Sequence, residues 1–378
     1  MEHVHVPTEC YTIQCKADYA LSASNAYYER LLRSYQYLVP QVSAAVGYRF
    51  DTSKLQADYL FRHGKIKPEL FFLHDLLLDA AERDEVEKCR NVLSSLDQFV
   101  RRVETTAPGS IVIDALGDSD WESYIVDDLV ERAPREWGFE TSLTPVPDHV
   151  VAVQRVYIEA GLRLVHTVYP EIANEIRHYA HVVKLFNGQG VTANTDVRAF
   201  HCMFIRVPGE GIDPVLYYAE RLVHETSHMH LNALMAGDPV VLNDWSERFR
   251  SPLRPDPRPM MGIYHAMYVT SRIVDFFTRL ARSDQRQVTQ QFLAETVDEL
   301  IRAVDEVRTH GKLTEAGRRM LEEAASLLDR TISATDWSNY PLSEEQRTRF
   351  GVGVSNVSRL QQIIQAERAQ YLVEDHPR

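Results

Sequence analysis

The chain has 378 residues, 44% of them hydrophobic and 25% charged, and a formal net charge of -13. That is enough apolar material for a packed core, and the composition is not that of a disordered chain. The acidic balance argues against nucleic acid as the main partner, because phosphate binding wants a basic face.

The N-terminus, MEHVHVPTEC, lacks a basic stretch followed by an apolar run. No segment offers about 18 continuous apolar residues, so neither secretion nor a membrane span is expected, and the protein reads as cytoplasmic. Cys10, Cys15, Cys89 and Cys202 form no C-x-x-C pair and read as reduced thiols.

The chain up to residue 105 reads as three to five helices. Tyr27, Leu31, Leu32, Tyr35 and Leu38 recur at helical spacing, and that helix is expected to end at Pro40. A second begins at Pro68, and Val86, Val92, Leu93, Leu96 and Val100 mark a third. A short β-like run, Ile111 to Ile113, follows between turn signals. Residues 105 to 147 are rich in Pro and Gly and hold an expected boundary near 140 to 147. The expected division is a helical N-terminal region, 1–145, and a second domain, 146–378.

A long amphipathic helix starts at Asp148. Residues 180 to 187 and 200 to 209 are strand candidates, with NGQGVTANTD between them read as a loop. Asp213 is the expected N-cap of the next helix, Pro214 its first residue and Gly237 its stop. A polar loop rich in Pro and Arg leads to a helix from about Met260 to Leu280, and two or three more helices occupy 285 to 370. The expected fold is mainly α, with a few short strands ahead of the 214–237 helix.

That helix contains HETSH, residues 224 to 228, an H-E-x-x-H motif. Two histidines four apart lie about one turn apart on one helical face, where both imidazoles can reach one metal ion at about 2.0 to 2.1 Å. Leu231 and Leu234 stand where the longer zinc-protease pattern has its Gly and third His, which removes that class. His230 is two residues from His228 and faces away, so it reads as exposed or supporting. His265 on the next helix is the better third ligand; from the residues alone, the ligand and packed-core readings are equally open. Tyr264 and Tyr268 flank it and read as core. In SPLRPDPRP, alternating prolines stiffen the chain around Arg254 and Arg258. Each guanidinium suits two-pronged capture of a carboxylate, or pairing with local acids such as Asp256 or Glu247.

The run AERLVHETSHMHLNAL followed by SPLRPDPRPMMGIYHAMYVTSRIVDFF resembles the HExxH-motif peptide-modification family. These are the α-ketoglutarate–HExxH peptide β-hydroxylases of ribosomal peptide natural-product pathways. The likeness covers about residues 180 to 285 and reaches 1–140 only weakly. It implies an Fe(II) site held by His224, His228 and His265, with open positions for α-ketoglutarate and O2. It also implies that Arg254 or Arg258 holds the distal carboxylate of α-ketoglutarate. The product would be a precursor peptide hydroxylated at a β-carbon, and the N-terminal region would hold its leader segment. Glu225 then has no base role and would orient a ligand or a water.

The alternative is a zinc metallopeptidase of the gluzincin type with Glu225 as general base. It calls for a Glu ligand on a downstream helix, and none stands out in the sequence. A non-catalytic peptide-binding protein is the third reading, against which the intact His224, Glu225, His228 and His265 stand.

Overall fold

The computed structural model describes residues 5–56, 67–101, 111–253, 256–284 and 286–350. Among these residues three helices come first: α1 (Ala17–Val46), α2 (Pro68–Glu82) and α3 (Val86–Arg101). α1 does not end at Pro40; it carries that proline inside and runs on to a left-handed cap at Gly47, φ 67°. An internal proline removes a helical hydrogen bond and costs about 3 kcal/mol. Val42 and Val46 beyond it are buried, and that packing holds the last turn in place.

Then follow β1 (Val112–Ala115), α4 (Asp120–Trp137), β2 (Ser142–Pro145), α5 (Asp148–Val168) and α6 (Pro170–Tyr179). β3 (Val182–Gln189), β4 (Ala193–Thr195) and β5 (Cys202–Arg206) complete one five-stranded sheet of order β1-β3-β5-β4. β1 lies parallel to residues 182–185 of β3, and β2 lies antiparallel to residues 186–189. β3 is therefore central, and Val183, Leu185 and Phe186 are fully buried, as a strand covered on both faces requires. The segment read as a loop contains β4, and the Pro-rich boundary contains β2. Strands of three or four residues are too short for alternation to register in sequence; their partners define them.

The protein is mainly helical, with every strand ahead of the HExxH helix, α7 (Pro214–Leu234). α8 (Met260–Leu280), α9 (Gln287–His310), α10 (Glu315–Ala334) and α11 (Glu344–Arg349) follow it. The boundary near 146 falls between β2 and α5; strands from both sides share the sheet, and one apolar cluster extends from Val6 to Phe350. No helix among the described residues is long and apolar enough to cross a membrane. The four cysteines are free and buried.

α7 starts as its sequence dictates. The Asp213 carboxylate accepts hydrogen bonds from the N–H groups of Val215 and Leu216, and Pro214 fills the first position. α7 packs against α1, α5, α6, α8 and β4, so the motif helix is the hub of the fold. Gly161 lets α5 come close: a Cβ there would stand 3.0 Å from the Ala219 nitrogen.

His74 of α2 gives a pH prediction. Its Nε2 lies 2.7 Å from the Ser34 hydroxyl of α1, and burial holds its pKa at about 4. An unfolded histidine titrates near pH 6.5, so between about 6.5 and 4 the unfolded chain binds a proton that the folded chain refuses. The stability contributed by neutral His74 is thus present above pH 6.5 and is lost as pH falls. From pH 7 to 5 the wild type should lose about 2 kcal/mol more than His74→Gln in urea unfolding. Parallel losses in both proteins would refute this.

Candidate metal centre

α7 carries His224 and His228, and α8 returns along α7 to bring His265 to them. The His224 Nε2 lies 3.3 Å from the His228 Nε2, and the His228 Nδ1 lies 3.2 Å from the His265 Nδ1. The three imidazoles form a row with His228 in the middle. Burial and the neighbouring His224, His265 and Arg221 push His228 well below the ordinary histidine range, and burial holds His265 at about 4. Both are therefore neutral at physiological pH, the form that donates a lone pair to a metal.

Nitrogen separations of this size suit ligands of one ion, since two nitrogens at about 2.1 Å from a metal stand roughly 3.0 to 3.4 Å apart. Yet among the described residues no three His, Cys, Asp or Glu side chains already converge on one metal position. The cause is at His228, which turns one ring nitrogen to His224 and the other to His265. An imidazole gives one ion one nitrogen, so one of the three rings must turn before all three ligate together. The donor types and their proximity fit a metal ion; their orientation is that of the row.

A cavity of about 230 Å³ opens beside the row. Its walls come from α7 (Arg221, His224, His228), α8 (Gly262, Ala266, Val269, Thr270), the β3–β4 turn (Gly190, Val191, Thr192) with Ala193 of β4, and the loop before α8 (Ser251, Leu253, Arg258). Gly190 has φ 85°, and a Cβ there would stand 2.7 Å from the Glu140 carbonyl oxygen, so this wall depends on glycine.

Arg258 reaches the cavity, while Arg254 lies outside the described residues. The Arg258 main chain exchanges two 2.8 Å hydrogen bonds with Phe249, which pins the proline-rich loop, and its Nε donates to Asp256 at 3.3 Å. Of the two sequence readings of this arginine, the structure shows the pairing with a local acid, and it places the side chain in the cavity wall.

Glu225 is buried and does not line the cavity. Burial raises its pKa, against the pull of the neighbouring His224 and Arg221. His230 faces away from the row as expected, but it is fully buried rather than exposed. The Tyr179 hydroxyl donates to the Ala20 carbonyl oxygen at 3.1 Å, so the His230 Nδ1–H, 3.0 Å away, donates to that hydroxyl. Tyr264 and Tyr268 are core residues, donating to the main-chain carbonyls of Gly317 and Thr12.

Two further residues complete the site. Glu220, one turn before His224, has one carboxylate oxygen 3.4 Å from the His224 Nδ1 and the other on Arg221. A carboxylate there orients the ring and leaves Nε2 for the cavity. Arg221 also donates to the Thr192 hydroxyl at 3.2 Å. The four-residue spacing from Glu220 to His224 was readable in the sequence. Glu299 of α9 was not: burial raises it to about 7, with Glu220 and His224 both acting on it.

Comparison with family models and with curated proteins gives no match for this chain.

Proposed function

We propose that the protein is an Fe(II)- and α-ketoglutarate-dependent oxygenase that hydroxylates a residue, at its β-carbon, in a ribosomally made precursor peptide. The observation that carries this is the arrival of His265 from α8 at 3.2 Å from His228, which itself lines a cavity with Arg258 in its wall. His224, His228 and His265 would hold the iron, which when bound with O2 supplies the oxidising power for an unactivated C–H bond. Arg258 gives the cavity a cation for the distal carboxylate of α-ketoglutarate. The Glu220 carboxylate keeps His224 oriented, and the buried Glu225 packs away from the cavity. This use of Glu225 departs from the zinc-peptidase alternative, where it must face the cavity as a base.

Anaerobic addition of Fe(II) and α-ketoglutarate should produce a visible metal-to-ligand absorption band. No band, together with peptide hydrolysis in Zn(II), would sink the hydroxylase and favour the peptidase. Arg258→Ala should raise the apparent KM for α-ketoglutarate by about 10- to 100-fold, the worth of a charge-assisted hydrogen bond. An unchanged KM would return the carboxylate contact to another cation.

Residues 1–145 are the part we assign to the leader segment. Deleting the leader from the precursor should then raise its KM and leave the position of hydroxylation unchanged. An unaltered KM would remove that assignment.

A further inference from the structure

The sheet ends at β4, whose sole partner in it is β5. The Arg206 N–H donates to the Thr192 carbonyl at 2.9 Å, and Asn194 is in register with Phe204. These two facts fix the phase of the strand: residues 192 and 194 turn their main-chain groups toward β5. In an antiparallel pair such groups alternate, so the N–H and C=O of Ala193 and Thr195 point off the sheet. Ala193 is also in the wall of the cavity that holds His224 and His228.

Protein edges are ordinarily blocked by Lys, Pro or a bulge. β4 reads Ala-Asn-Thr, with no lysine or proline. Two outward donor–acceptor pairs, about 6.7 Å apart along a strand, are matched by the main chain of another extended segment. A helix, whose main-chain groups are already spent internally, does not match them.

We propose that β4 is the docking edge for an extended peptide, which adds to the sheet as a further strand and lays its side chains beside the histidine row. This deepens the peptide-substrate reading and rests on it. Main-chain pairing gives the grip, and alternate side chains of the peptide face the cavity. Leu253, in the cavity wall and 42% exposed, offers apolar contact to the peptide.

The probe is a set of random peptides of about ten residues, longer than a typical strand, selected for binding to the full-length protein. Each binder is remade with N-methyl groups on alternate main-chain nitrogens, in both phases. One phase should weaken binding by roughly ten-fold or more and the other by less than roughly two-fold, because alternate amides face the edge. In the bound state the Ala193 and Thr195 amides should exchange hydrogen more slowly, while that of Asn194, already in the ladder, should not change. Equal effects of the two phases, slowing elsewhere but not at β4, or failure to select any binder would overturn the proposal. The Fe(II)–α-ketoglutarate band, read on the same preparation, separates the two ideas. A band without the alternating pattern removes the docking edge alone, and the pattern without a band removes the oxygenase alone.

Discussion

Arg272→Met is expected to destabilise the protein by about 3 to 5 kcal/mol, the range for removing one partner of a buried ion pair. Arg272 is 1% exposed, and its guanidinium pairs with the carboxylate of Glu175, which is 0% exposed. It also donates to the Cys15 sulfur at 2.8 Å and stands 5.6 Å from the centre of the Tyr268 ring. The network thus joins α8 to α6 and to the segment ahead of α1. Without the cation, burial of Glu175 is no longer opposed, since Arg272 is the main group lowering its raised pKa. The carboxyl must then take a proton or draw in water, and either costs stability. Arg272→Met combined with Glu175→Leu should recover most of the loss, because a matched apolar pair leaves no charge behind. Urea unfolding of the three proteins decides it. A single variant costing under about 1 kcal/mol, or a double variant no better than the single, would show that the pair is not what holds these helices together.

The parts of the fold that depend on local chemistry were legible in the sequence. Asp213 and Pro214 announce the start of α7, and the apolar run of residues 182 to 186 announces the central strand. His224 and His228 follow from the period of the helix alone. What was not legible depends on packing between distant segments. Pro40 looked like a stop because its local cost is visible in the sequence, whereas the burial of Val42 and Val46 that offsets it is not. β4 has no pattern of its own and exists because β5 offers it a partner. His230 was open between exposed and supporting because its partner, Tyr179, lies 51 residues away. Glu225 looked like the general base of a peptidase motif, yet it is buried and outside the cavity wall. The site shows both kinds of residue: the motif placed His224 and His228 on one helical face, and tertiary packing left Glu225 buried away from the cavity.

His265→Ala is expected to lower metal affinity by more than the 10- to 100-fold, in round figures, that loss of a supporting partner costs, and to abolish hydroxylation. Sequence left His265 open between ligand and core. Its ring stands with its centre 5.4 Å from that of His228, nearly parallel at 23°, and it is half-buried. A buried histidine that serves packing alone looks like His230, whose Nδ1 is committed to Tyr179 and which is 0% exposed. The two residues therefore make a controlled comparison. His230→Ala should lose stability, through a cavity and the loss of its hydrogen bond to the Tyr179 hydroxyl, and keep its metal affinity. His265→Ala should keep its fold, read by circular dichroism, and lose the metal. The row geometry sharpens the test, because one ring must turn before three nitrogens face one ion. If His265 is the ring that turns, metal binding should abolish its close contact with the His228 Nδ1, and imidazole nitrogen resonances in a Zn(II)-loaded sample should report it. Full metal affinity in His265→Ala would mean that the third ligand comes from elsewhere. Glu299, raised to about 7 and acting on His224, would then be the first residue to replace, and the balance would move toward the zinc peptidase.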